Sequence, residues 1–145
     1  MPKQPKVTVD GKPIEDVLDV SYSIGSGWDR TTGKATGEVA YSPLVITKMM
    51  TKQSWDFFAK AAKPSGKRFP VVVEFNWVEA GTETWYVRIT LTNAVMLDYA
   101  IEHGNWKDTK MDNYTAAREF LTLGYEKLKI ETPNGNHEVE FKPKK

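Results

Sequence analysis

Apolar residues recur at every second position over most of this chain, and a side-chain repeat of two belongs to the half-buried β-strand. Val71, Val73, Phe75 and Trp77 share one parity, with Glu74 and Asn76 between them. Trp85, Val87, Ile89 and Leu91 do the same against Thr84, Arg88, Thr90 and Thr92. Val95, Leu97, Tyr99 and Ile101 follow, opposed by Asp98 and Glu102, and Leu18, Val20, Tyr22 and Ile24 fall on even positions. Val7 and Val9 precede Asp10-Gly11, a favoured two-residue hairpin signal. Ala80-Gly81-Thr82 and Pro133-Asn134-Gly135 read as further turns. Val39 and Tyr41 restart the alternation before Pro43, and Val139 with Phe141 close it. Leu121, Leu123 and Tyr125 are odd while Leu128 and Ile130 are even. A slip of one residue flips every later side chain, so a bulge is expected between Gly124 and Lys127.

One stretch departs from this rhythm. Trp55, Phe58, Ala59 and Ala62 recur at i, i+3, i+4 and i+7, which predicts a helix from Thr47 or Thr51 to Lys63 with those four residues on the core face. Either threonine offers a capping hydroxyl, Lys60 and Lys63 suit the negative end of the helix dipole, and Pro64-Ser65-Gly66 ends the helix. Eight or nine short strands and one short helix within 145 residues predict a single, mainly β domain. The architecture expected is a two-sheet antiparallel β-barrel or sandwich with the helix packed on its side. Residues 25–37, with four glycines around Trp28, and 103–115 read as long loops, and 142–145 as a solvated tail.

Charge and composition exclude more chemistry than they indicate. Twenty Lys and Arg against 19 Asp and Glu leave a net charge of +1, without the basic surplus of a nucleic-acid binder. Pairs such as Arg68-Phe69 and Trp106-Lys107 are therefore read as packing rather than as base-stacking sites. There is no cysteine, hence no thiol nucleophile and no thiolate ligand. His103 and His137 stand in no metal-ligand spacing, and Asp108 and Asp112 around Lys110 lack the frame of a calcium loop. Gly25-Ser26-Gly27 lacks the lysine of a phosphate loop, and no nucleophile elbow is present. Glu74, Glu83, Asp98, Glu102 and Glu119 supply carboxylates for a paired acid–base site, but the favoured reading is a solvated outer face. No catalytic residue, metal or cofactor is assigned. The polar start Met1 to Lys6 reads as leaderless, Val71-Val72-Val73 is far short of a membrane span, and Asn113-Tyr114-Thr115 is read as a chance sequon.

Several strands are apolar on both faces, at Val71, Val72, Val73 and Val78 and again at Ala94, Met96 and Ala100. A single helix cannot cover two sheets, so association with further copies of the chain is expected.

The order of the pieces carries a resemblance. Ser42-Pro43-Leu44-Val45-Ile46-Thr47-Lys48 after a glycine-rich stretch and before the single helix resembles the haemolysin-coregulated protein family, the tube subunits of bacterial type VI secretion. Ile89-Thr90-Leu91-Thr92-Asn93-Ala94-Val95 is similar to a second family strand. The run from Glu119 to Ile130 is similar to a third, with Glu119, Leu123, Tyr125, Lys127 and Leu128 in register. Phage tail-tube proteins and tubes of extracellular injection particles resemble the same fold. The similarity spans about residues 17–131, with Pro43, Thr47, Lys48, Glu119, Tyr125 and Lys127 as its motif residues.

The resemblance implies a non-enzymatic structural subunit. Six copies would form a ring, and rings would stack into a hollow tube inside a sheath, with sheath, spike and effector proteins as partners. It implies assembly in the bacterial cytoplasm and secretion without a cleaved signal peptide. It also implies that the 25–37 segment reaches the next ring, with Trp28 as anchor and Asp29, Arg30 and Lys34 giving polar specificity. The competing reading is a small β-sandwich module binding carbohydrate or peptide on a platform of Trp28, Trp77, Trp85 and Trp106.

Overall fold

The computed structural model describes residues 4–63, 67–104 and 116–140. Its elements are β1 (Lys6–Val9), β2 (Lys12–Ile14), β3 (Val17–Ser21), β4 (Ile24–Asp29), β5 (Lys34–Tyr41), β6 (Leu44–Met49), α1 (Ser54–Ala62), β7 (Phe69–Glu79), β8 (Thr82–Gly104), β9 (Ala116–Gly124), β10 (Lys127–Thr132) and β11 (Gly135–Glu140). The expected helix terminus at Pro64 to Gly66, most of the expected 103–115 loop and the 142–145 tail lie outside the described residues.

All the described strand pairs are antiparallel. One long strand, β8, belongs to two sheets at once. Its residues 82–92 pair with β7 and, from Arg88, with β10, in a sheet ordered β2-β1-β7-β8-β10-β11. Its residues 95–104 pair with β9 in a second sheet ordered β8-β9-β6-β3. The change of sheet occurs at Asn93, whose φ of 53° lies in the left-handed region that asparagine tolerates better than most residues. Polar contacts staple this corner. Arg68 donates to the Asn93 carbonyl at 3.2 Å, and Asn93 Nδ2 donates to Glu126 at 2.9 Å. The Glu126 amide donates to the Thr92 carbonyl at 3.1 Å. Val7, Val9, Leu44, Ile46, Val71, Val73, Leu91, Met96, Leu121, Leu123 and Leu128 fill the space between the sheets. The architecture is a two-layer sandwich rather than a closed barrel.

The corner explains where strict alternation fails. Leu91 faces the core, but after Asn93 it is Ala94 and Met96 that are buried. A bulge between Met96 and Asp98 expels Leu97, and Tyr99 then returns to the inner side. Val95, Leu97, Tyr99 and Ile101 therefore do not form the single inward row expected, and Leu97 and Ile101 are exposed. The parity slip near Gly124 is likewise not a bulge within a strand. β9 ends at Gly124 and β10 begins at Lys127, so the two halves of that motif serve different sheets.

Two other expectations are corrected. Residues 25–37 are not a loop. β4 and β5 pair with each other as an arm, closed by Arg30 to Gly33 with Gly33 at a φ of 71°. Glycine is a poor strand former because it brings no side chain to pack, yet the backbone pairing of the two strands runs through Gly25. The helix also starts later and faces differently. Thr47 stays in β6, held between β3 and β9, and Thr51 accepts the Gln53 amide just ahead of the helix rather than capping it. Ser54 and Phe57 are the buried helix residues, while Trp55 and Phe58 are exposed.

The Asp10-Gly11 and Ala80-Gly81 turns hold two positive φ angles each, as a type I′ hairpin requires. Ala80 adopts 52° without a polar side chain to ease it. Replacing Ala80 with Asn should raise unfolding free energy by about 0.5–1 kcal/mol in urea titration, because asparagine favours that position. A lower stability would contradict the turn assignment.

Candidate functional site

β6 offers Leu44, Ile46 and Lys48 to the inner face of its sheet, opposite Leu123, Leu121 and Glu119 of β9. Two aliphatic pairs are thus followed by a charged one, and both Lys48 and Glu119 are 0% exposed. Lys48 Nζ stands 2.5 Å from Glu119 Oε1 and also donates to the Met49 carbonyl at 2.7 Å. The ammonium lies 5.4 Å from the centre of the Phe57 ring of α1. Ser54, the first residue of α1, donates to Glu119 Oε1 at 3.0 Å, and Tyr99 of β8 donates to Oε2. Ser54 Oγ in turn accepts the Thr51 amide at 3.0 Å. Both carboxylate oxygens are therefore occupied, as a charge removed from water requires. One carboxylate ties together β9, β6, β8 and α1. Burial pushes the Tyr99 phenol well above its ordinary value, and the neighbouring Glu119 carboxylate raises it further.

A second polar knot sits at the other end of β6. Tyr125 donates to the Ser42 carbonyl at 2.8 Å, and its ring lies 6.4 Å from that of Tyr22. Ser42 Oγ accepts the Ser23 amide at 2.9 Å. These contacts clamp the root of the β4–β5 arm, where Pro43 leads β5 into β6. Burial raises the Tyr125 phenol strongly, with a further contribution from Tyr22.

The motif residues thus divide between places. Lys48 and Glu119 meet at the helix end of the sheet, while Pro43 and Tyr125 lie at the arm root. Thr47, paired with Phe120, points to the opposite face of the sheet from Lys48. Lys127 lies apart on β10, 3.6 Å from Glu138. Of the arm residues, Arg30 and Lys34 are exposed, and the backbones of Trp28 and Asp29 pair with Ala35 and Lys34. The side chains of Trp28 and Asp29 lie outside the described set. Sequence reading missed Ser54 and Tyr99, because nothing local marks a serine as the partner of a glutamate 65 positions away.

The sheet β8-β9-β6-β3 has an edge at each side that no other described strand covers. Beside the β8 edge stand Leu97 at 57% exposure, Ile101 at 52%, Phe58 at 49% and Trp55 at 75%. The Trp55 and Phe58 rings stack at 5.9 Å, and Phe58 meets Tyr99 edge-on at 6.2 Å. On the β3 edge Leu18 is exposed, and Ile24 is exposed where the chain passes from β3 into β4.

The rival sites do not come together. In the β7–β8 hairpin Trp85 lies opposite Asn76 and Trp77 opposite Thr84, so the two indoles project from opposite faces and form no platform. A register shift at Tyr86 moves Trp85 off the row of Val87 and Ile89, and Arg88 covers it at 4.2 Å. Trp106 lies outside the described residues. Glu74 pairs with Arg88 at 3.1 Å and Glu83 with Lys6 at 2.8 Å, Asp98 and Glu102 are exposed, and Glu119 is committed to Lys48. His137 is exposed on β11, and the His103 side chain is not described. Among the described residues no three metal-ligating side chains gather.

A family model described as "Type VI secretion system effector, Hcp" matches residues 13–131. Among solved structures, Hcp1 from E. coli EAEC 042 is similar with a TM-score of 0.75 at 18% identity, over 95% of this chain and 98% of that one. Hcp1 from Flavobacterium johnsoniae gives 0.68 at 19% identity, over 94% and 100%. Hcp2 from Salmonella typhimurium gives 0.60 at 17% identity, over 99% of each chain. At these identities the likeness to solved structures establishes the fold. No curated protein sequence matches significantly.

Two measurements probe the polar knots. Lys48→Met strands a buried carboxylate and should cost about 3–5 kcal/mol in urea unfolding, while Lys48→Met with Glu119→Leu should cost less than the two single losses combined. Additive losses would show that the two residues are not coupled. A phenol whose folded value is raised supports the fold fully below its unfolded value and loses that support as pH climbs past it. Stability should therefore fall above the ordinary tyrosine value of 10.0, and Tyr99→Phe with Tyr125→Phe should flatten the fall. An unchanged slope in the double variant would remove these two phenols as its cause.

Proposed function

Because this chain belongs to the type VI secretion system Hcp family and is a subunit of its tube, we propose that it builds that tube by joining the two open edges of its β8-β9-β6-β3 sheet to successive copies. The observation that carries this reading is the pair of unlike edges. One is framed by Trp55, Phe58, Leu97 and Ile101, the other by Leu18 and Ile24. Unlike patches on opposite sides of one subunit make a head-to-tail contact, which closes into a ring when the rotation per copy allows. Six copies close the ring. The second sheet and α1 both pack on the inner face of the β8-β9-β6-β3 sheet, so they occupy the wide outer side of the ring, and Thr47, Phe120 and Thr122 line its passage.

The arm serves the next ring. A two-stranded ribbon alone is marginally stable in water, so its tip is built to be covered. Trp28 anchors the stacking contact, and Asp29, Arg30 and Lys34 set its polar specificity. Tyr125 and Ser42 hold the arm's root while the tip engages. The work done is mechanical, and the subunit itself makes and breaks no covalent bond. The tube assembles in the cytoplasm within a sheath and under a spike, carries effector proteins, and leaves the cell through the machine it serves.

Sedimentation velocity should show a species near six times 16.5 kDa. Ile101→Lys or Leu18→Lys should weaken that species at least ~10-fold by placing an unpaired charge in the contact, while the isolated chain keeps its unfolding midpoint. A chain that stays monomeric at high concentration would contradict the reading. Trp28→Ala should leave single rings intact and shorten tubes seen by negative-stain microscopy. Tubes of unchanged length would remove Trp28 from the stacking contact.

A further inference from the structure

Helix α1 lies on the sheet in a rotation that its apolar residues do not favour. Ser54, Phe57 and Ala61 face inward, and Trp55, Phe58 and Ala62 face outward. A turn of about 100° around the helix axis, one residue's worth, would put the outer row where the inner row now lies. The turn would bury an indole where a hydroxymethyl now lies, and apolar area alone favours it. The Ser54 hydroxyl opposes it. That hydroxyl donates to Glu119 Oε1 at 3.0 Å and accepts the Thr51 amide at 3.0 Å. Turning it away would take one of the two donors from Oε1 of a fully buried carboxylate and would free the Thr51 amide, and hydrogen bonds to a charged group that are lost in the interior are costly.

We infer that Ser54 is a positioning residue for subunit assembly: through Glu119 it fixes the rotation of α1 that presents Trp55 and Phe58 beside the open β8 edge, where the next copy docks. The inference rests on the ring reading above and adds to it the device that keeps the contact residues outside. Lys48 and Tyr99 take part indirectly, since they hold the carboxylate that Ser54 reads. The edge-on contact between Phe58 and Tyr99 ties the presented face to the same cluster. A serine at the first helical position does this with little else to offer, because it caps no helix amide of its own and fills little of the core.

The test uses the full chain with 5-fluorotryptophan in place of tryptophan, and the Trp55 resonance is assigned by its loss in Trp55→Phe. Rings are followed by sedimentation velocity. Helix rotation is followed in the Leu18→Lys background by the H2O/D2O shift of the Trp55 fluorine, which reports exposure of the indole. Ser54→Ala should weaken rings at least ~10-fold and shrink the solvent shift of Trp55, while Ser54→Thr restores both. Adding Ser54→Ala to Trp55→Ala should weaken rings little further, since the positioned group is already gone.

Rings of ordinary strength in Ser54→Ala would overturn the inference. So would lost rings with an unmoved Trp55 signal, which would mark a merely structural role. Should Ser54→Ala fail to fold, Ser54→Cys keeps a weak donor and must give an intermediate loss of both readouts; a value equal to that of the unsubstituted chain would overturn the proposal. If the unsubstituted chain forms no rings, the ring reading and the assembly role fall together, while the fluorine shift still decides whether Ser54 sets the helix rotation.

Discussion

A single carboxylate that never meets water, that of Glu119, holds this fold in register. Lys48 neutralises it, Ser54 and Tyr99 complete its hydrogen bonds, and those four residues lie on β9, β6, α1 and β8. Burying an ion pair is not a route to high stability, because the cost of desolvating both charges offsets most of their attraction. Its value is selectivity. A one-residue slip of β6 against β9 would point Lys48 to the far face and leave Glu119 without its lysine inside, whereas the two aliphatic pairs that precede it would tolerate the error far better. The same carboxylate sets the helix. Strand register and helix rotation, which apolar packing alone specifies loosely, are fixed by one polar centre.

The bend of β8 is the second constraint. One strand bridges both sheets, so the sandwich is joined covalently along its corner rather than only through side-chain packing. The corner also decides what remains open. Beyond Ala94 the strand leaves β7 and β10 and, among the described residues, has only β9 beside it, which leaves an open edge along residues 95–104. Open edges are usually blunted with charge, because they invite pairing with other chains. Here Leu97 and Ile101 lie along the edge and an aromatic pair from α1 stands beside it. In a family whose subunits build a tube, that is the expected exception.

Much of this was legible in the residues. The turns at Asp10-Gly11 and Ala80-Gly81 and the strands on either side of them follow from local chemistry, and the motifs around Lys48 and Glu119 from their resemblance to a known family. What was not legible depends on partners far apart in sequence. The helix face was misread because the apolar stripe is real but Ser54 answers to a glutamate in another strand. Trp85 left the core row because of a register shift at Tyr86 that no local pattern announces. The glycines of the arm suggested a loop, since composition does not report which backbones pair. Lys48 and Glu119 were visible as motif residues, and only the register of β6 against β9 revealed that they touch.

Neighbouring copies of the same chain are proposed to cover the two open edges of one sheet. Amide hydrogen exchange on concentrated and dilute samples reads those edges directly. Residues 95–104 and 17–21 should exchange rapidly in the dilute chain and become slow together on assembly, while the central strands β6 and β9 stay slow in both. Rings in which both edges still exchange as fast as in the dilute chain would contradict that proposal.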